Sequence, residues 1–190
     1  MSRYVLALLL FFFPSVIYCQ VKIELNKNNI LLNGSLLNAN PDKNELDSLV
    51  GEKSNAGYII GSYEPGTKET DWQKRRSFRF KGSGIWIEYY AKEKTIYSIT
   101  LFMKSSNRKP EKDNLITYPN VYTDGAIVLD SSSSMEQVLP LLDKQSVLAI
   151  GLRPYATIKI PRILYKKDDF LIELMFHPET KLIKQILIRK

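Results

Sequence analysis

The sequence predicts an α+β protein made of two similar units, each a short helix packed on an antiparallel β-meander. Three observations predict it. Past Gln20, apolar residues recur mostly at every second position, the period of a strand. Two short segments break that period with capping residues and a one-sided apolar spacing, the pattern of a helix. The two halves of the chain also fall into phase when one is shifted by 85 residues.

The first segment stands apart from both halves. Arg3 is followed by the unbroken apolar run Val5 to Phe13, then by Pro14 and Ser15, and then by Val16-Ile17-Tyr18-Cys19 before Gln20. That layout is a secretory signal peptide over residues 1–19, and the run is short of the roughly 20 residues a bilayer span needs. Acylation of Cys19 is the lipoprotein alternative, opposed by bulky Tyr18 where a small residue is needed. Cleavage after Cys19 leaves 171 of 190 residues, no cysteine, and 26 basic residues (27 less Arg3) against 20 acidic ones, a formal +6. The expected product is exported, periplasmic or extracellular, with no transmembrane segment after cleavage. A thiol-free chain suits an oxidising compartment.

The first unit spans residues 20–104. Val21, Ile23 and Leu25 alternate with polar residues, and Asn28-Asn29 turns the chain before Ile30-Leu31-Leu32. A helix follows, with Asn40 as N-cap, Pro41 at its first position, Leu46, Leu49 and Val50 on one side, and Gly51 as the stop. The meander comes next. Phe78 and Phe80 alternate with Arg79 and Lys81, Gly82-Ser83-Gly84 turns, and Ile85, Ile87 and Tyr89 alternate with Trp86, Glu88 and Tyr90. After the Lys92-Glu93-Lys94 tip, Tyr97, Ile99, Leu101 and Met103 form the last inward row.

The polar stretch 105–117, with Pro110, is a connecting loop, and the pattern then repeats over 118–190. Ala126 to Leu129 is a strand. Ser133 and Glu136 are spaced as a capping box, and Val138, Leu139, Leu141 and Leu142 make a helical side that Pro140 kinks or splits. Ile158, Ile160, Ile163 and Tyr165 lead to a Lys167-Asp168-Asp169 turn, and Phe170 to Phe176 and Ile186 to Ile188 finish the second meander. The 85-residue shift pairs Phe78 with Ile163, Phe80 with Tyr165, Ile87 with Ile172 and Glu88 with Glu173. A hairpin tip two residues longer then pairs Ile99 with Ile186 and Leu101 with Ile188. An odd slip would turn every side chain to the wrong face, so agreement in phase carries information.

The run Gly84-Ile85-Trp86-Ile87-Glu88-Tyr89, with Ile96 and Ile99 behind it and Pro119 to Ile127 following, resembles an uncharacterised bacterial family of signal-peptide-bearing α+β proteins with this strand–helix–meander layout. The resemblance implies no activity and no catalytic residue. The layout is also loosely similar to helix-plus-sheet repeats in small exported inhibitor and envelope-assembly proteins.

The composition narrows the chemistry. One His and one Cys leave little room for a zinc centre or thiol catalysis, and no Gly-x-Ser-x-Gly elbow or phosphate-cradling glycine loop is present. No metal, no cofactor and no nucleic acid is expected. His177 falls in the tip Phe176-His177-Pro178. Glu88 and Glu173 are a carboxylate pair to weigh for a hydrolase, against a plain solvent-facing reading. Alternation puts Arg75, Arg79 and Lys81 on one side of a strand, either to hold an acidic partner or anionic polymer or to protect a sheet edge. Trp86 and Tyr90 flank Glu88, either as a protein-binding patch or as a second core layer. The expected function is an exported, non-catalytic binding module for a protein partner, of antagonist or immunity type. The alternative is an envelope protein that binds anionic polymer or lipid headgroups through the basic strand; a paired-carboxylate hydrolase is the third.

Overall fold

The computed structural model describes residues 20–38, 41–60, 74–90, 95–104, 117–155 and 158–190. The leader, Asn40, Trp72-Gln73, the Lys92-Glu93-Lys94 tip and most of the connecting loop lie outside them. In chain order the elements are β1 (Lys22–Asn26), β2 (Asn29–Leu32), β3 (Ser35–Leu36), α1 (Lys43–Val50), β4 (Asn55–Ile60), β5 (Lys74–Phe80), β6 (Ile85–Tyr90) and β7 (Ile96–Phe102). They continue with β8 (Val121–Thr123), β9 (Val128–Leu129), α2 (Met135–Val138), β10 (Val147–Tyr155), β11 (Ile158–Lys167), β12 (Phe170–Phe176) and β13 (Ile183–Arg189).

The described strands make two sheets, β3-β2-β1-β8-β9 and β10-β11-β12-β13-β7-β6-β5-β4. The structure is therefore mostly β, with two short helices. Each half of the chain contributes to both sheets. In the smaller one β1 runs parallel to β8, which joins the two halves directly. The larger sheet carries both meanders, and β5 lies inside it, between β6 and β4. One core fills the space between the sheets: Ile23, Leu25 and Leu32 from the small sheet, Leu46 and Val50 from α1, and Phe78, Ile87, Leu101, Ile163, Ile172 and Ile186 from the large one. Period-two alternation puts these large-sheet residues on one face.

The helices begin later than the sequence suggests. Asp42, not Asn40, caps α1 by accepting the Glu45 N–H at 2.8 Å, and Gly51 ends it at φ 75°. Ser134 and Gln137, not Ser133 and Glu136, form the capping box of α2. Ser133 instead accepts the Asp130 N–H at 3.0 Å. Pro140 does split the segment, since α2 gives way to a 3₁₀ turn over Leu139–Leu141.

At the middle of the large sheet β7 and β13 run antiparallel, with Thr100 opposite Leu187. Counting outward along that row gives Trp86, Arg79 and Asn55 on one side. On the other side it gives Glu173, Leu164 and Ala149. Arg79 thus corresponds to Leu164, as the 85-residue shift requires, but Glu173 corresponds to Trp86 rather than to Glu88. The two extra residues of the second half fall in the β11–β12 hairpin, not at the next tip. A two-residue difference keeps the face and changes the row, so hydrophobic phase alone did not detect it.

Polar side chains tie the sheets together through the core. Asn120 is fully buried; its Oδ1 accepts the Val21 N–H at 3.2 Å, and its Nδ2 donates to the carbonyls of Ser83 at 2.8 Å and Phe102 at 2.9 Å. The Glu52 carboxylate holds the same β5–β6 turn, accepting the N–H groups of Gly82 at 2.8 Å and Ser83 at 2.7 Å. Tyr122 of β8 meets Tyr165 of β11 hydroxyl to hydroxyl at 2.8 Å, and Tyr165 donates to Asp124 at 3.0 Å. Burial pushes both phenols well above the usual tyrosine range, so both are neutral donors.

Candidate binding face

The face of the large sheet turned away from the core gathers nearly all the residues singled out in the sequence. Cross-strand partners share a face, and the ladder sets Arg75 opposite Tyr90, Ser77 opposite Glu88, and Arg79 opposite Trp86. Lys81 is not among them. It lies in the turn after β5, exposed, because β5 ends at Phe80. The edge-protection reading of the basic row does not fit, since β4 covers the outer side of β5.

The arginines lie on the aromatics. The Arg79 guanidinium carbon sits 4.1 Å from the centre of the Trp86 ring, and that of Arg75 sits 4.1 Å from the centre of Tyr97. Tyr97 meets Tyr90 edge to face with ring centres 5.0 Å apart. Alternation with Ile99 and Leu101 predicts an inward Tyr97. A bulge sets Glu88 opposite Ser98 and Tyr89 opposite Ile96, so Tyr97 is the extra residue and joins the outer face. Trp86 donates its indole N–H to Ser77 Oγ at 2.5 Å. The second-core-layer reading of Trp86 and Tyr90 does not hold for the described residues, where both keep part of their surface exposed.

Farther along this face Ile160, Met175 and Leu187 form a small apolar cluster separate from the main core. Beside it Glu173 accepts from Arg153 at 2.6 Å and from Arg162 at 2.8 Å. Glu88, also buried, has Arg75 Nε at 3.4 Å. Burial raises the Glu88 pKa above its ordinary value of 4.5, against the pull of Arg75, Arg79 and Arg189. The two glutamates therefore differ: Glu173 is clasped by two guanidinium hydrogen bonds and Glu88 has one longer ion contact.

Their separation bears on chemistry. β6 and β12 lie three strand spacings apart, about 14 Å along the sheet, whereas paired glycosidase carboxylates stand about 5–9.5 Å apart. His177, at the β12–β13 tip, accepts the N–H groups of Glu179 and Thr180 on Nδ1, each at 3.3 Å, and so serves as a turn cap. Among the described residues no three His, Cys, Asp or Glu side chains are grouped to hold a metal, and no helix is long and apolar enough to cross a membrane.

The raised Glu88 pKa fixes the sign of a pH effect. The folded state binds the proton more tightly than the unfolded one, so stability falls as pH rises through the window just above 4.5. Glu88→Gln removes that fall. Relative to wild type, the variant is expected to gain stability between pH 4 and pH 7. Urea midpoints at the two pH values check it, and an equal offset at both contradicts it.

Compared with family models, with curated proteins and with solved structures, the chain matches none.

Proposed function

We propose that the protein is an exported, non-catalytic binding module that holds an acidic protein partner on the outer face of its large sheet. The observation that carries the reading is the seating of Arg79 over Trp86 and of Arg75 over Tyr97, with Tyr90 edge-on to Tyr97, across the adjacent strands β5, β6 and β7. Trp, Tyr and Arg dominate interface energetics, and guanidinium groups seated over rings are held in place before a partner arrives. Arg153, Arg162 and Arg189 extend the positive field along the same face, and Glu88 and Glu173 neutralise only part of it. Export, from the leader-like residues 1–19, and membership in the uncharacterised exported family belong to the same proposal. So does descent of the two halves from one duplicated unit, which the ladder's symmetry about Thr100 and Leu187 supports.

Polyanion binding through the basic strand has less in its favour. Lys81 is outside the row, and two carboxylates interrupt the positive field. The test compares wild type with Arg75→Glu/Arg79→Glu, each immobilised as the producing cells process it. Proteins retained from an envelope extract by wild type are expected to be lost from the variant about tenfold or more. Equal retention by both overturns the reading. Salt-sensitive retention of anionic polymer alone transfers the assignment to the second reading.

A further inference from the structure

We infer that β10 is a pairing edge and that its occupant is β10 of a second copy of this chain. β10 is the last strand on its side of the large sheet, so alternate N–H and C=O groups along it point away from β11. Pro161 identifies which. It lies opposite Leu152, and having no N–H it does not exchange two ladder bonds with that residue. The pair is of the non-hydrogen-bonded kind, and alternation then directs the N–H and C=O of Ile150 and Leu152 outward while Gly151 and Arg153 bond to β11. The same two residues are exposed apolar side chains, Ile150 at 52% and Leu152 at 56%. Backbone donors and apolar surface thus coincide on one edge that no other described strand covers, whereas natural edges are ordinarily blunted with charge.

The sequence of β10 is complementary to itself. An antiparallel pairing centred on Gly151 sets Ile150 opposite Leu152 of the second copy, and Leu152 opposite its Ile150. Arg153 then faces Ala149 of the second copy rather than another arginine. The central Gly151 pair is non-hydrogen-bonded and approaches to about 4.5 Å between Cα atoms. Space there is open, because a Cβ built on Gly151 meets nothing within 4 Å. Pro154 closes the outward row without an N–H to leave unpaired. A two-fold contact of this kind uses the same patch twice and stops at two copies. It also continues the sheet, so the outer faces of the copies lie side by side on one surface. This inference stands independently of the function proposed above.

Sedimentation of the protein, purified as its cells process it, tests the inference over about three decades of concentration. Wild type is expected to move from the mass of one chain to the mass of two. Ile150→Lys/Leu152→Lys is expected to stay at one throughout, with an unchanged thermal transition. Ile150→Pro removes one outward N–H without touching a bond to β11 and is expected to weaken the dimer about tenfold or more. Wild type that stays a single chain at every concentration overturns the inference, including where it captures an extended peptide of another protein. Dimers of undiminished strength in the double lysine variant overturn it as well.

Discussion

Replacing Asn120 by leucine is expected to lower the free energy of unfolding by about 3–5 kcal/mol, a large part of what a domain of this size has to lose. The side chain is fully buried and serves three backbone groups from three places in the chain: the Val21 N–H before β1, the Ser83 carbonyl in the β5–β6 turn and the Phe102 carbonyl at the end of β7. Leucine has nearly the same volume and offers none of these bonds. Each buried group left without its partner costs about 1–3 kcal/mol. Asn120→Asp separates the lost donor from the lost packing. It keeps the shape and the acceptor for Val21, but presents oxygen to two carbonyl oxygens. Its carboxyl is therefore expected to have a raised pKa in the folded state. Stability of that variant should fall as pH rises from the unfolded carboxyl's pKa of about 3.9. Urea midpoints of both variants at pH 4 and pH 7, read with the m-value constant, check the pair. A leucine variant within 1 kcal/mol of wild type, an order-of-magnitude floor for such losses, contradicts the assigned role.

Asn120 also links the start of the small sheet to the large one. The small sheet contains strands from both halves of the chain, and the β1–β8 pairing alone is only three residues long. A contact that short gains its rigidity from the groups around it. Asn120 sits one residue before β8 and reaches the residue before β1, the turn and β7 at once. The outer face inherits its geometry from this arrangement, because Trp86 follows the same turn by two residues and Arg79 precedes it by two.

What could be read from the chain divides along a physical line. Rows with one dry and one wet face were readable: Phe78, Phe80, Ile85, Ile87, Ile99, Leu101, Ile163, Ile172 and Leu174 all enter the core as alternation requires. The two edge strands of the large sheet were not. β10 reads Val147-Leu148-Ala149-Ile150-Gly151-Leu152, a nearly continuous apolar run, and Leu148, Ile150 and Leu152 are all exposed. With no dry face over most of its length, such a strand has no alternation to show. β4 has the same difficulty, with Asn55, Ala56, Gly57 and Tyr58 all exposed. Tyr97 was misplaced because a bulge changes phase without a mark in the composition.

The outer face of the large sheet was half readable for a related reason. Arg75, Arg79, Trp86, Glu88 and Tyr90 belong to two consecutive strands of one hairpin, so period two was enough to gather them. Arg153, Arg162 and Arg189 join them only through the strand order, which no local pattern encodes. The pairing of Glu88 with Glu173 failed on register. A shift of two residues preserves every hydrophobic match while moving a polar side chain one row along the sheet.

Gly84→Ala is expected to cost about 3–4 kcal/mol, from two sources that a second substitution separates. Gly84 ends the β5–β6 turn at φ +66°, in the left-handed region, where a side chain costs about 1–2 kcal/mol. Its missing Cβ also leaves room for a ring. A Cβ built there would lie 2.6 Å from Tyr118 Cγ and 2.7 Å from Cδ1, distances at which one group must move. Neither has freedom to do so. Tyr118 is buried, its hydroxyl donates to the Lys81 carbonyl at 3.3 Å, and Asn120 anchors the chain two residues on. On the other side, the Gly84 carbonyl accepts the Phe102 N–H at 2.8 Å and so fixes the backbone. In a Tyr118→Ala background the overlap is absent and only the conformational cost remains. Gly84→Ala is then expected to cost about 1–2 kcal/mol, a coupling of about 2 kcal/mol between the sites. Equal costs in the two backgrounds would mean that the ring exerts no pressure on Gly84, and that the close approach of turn and ring is not what demands glycine there.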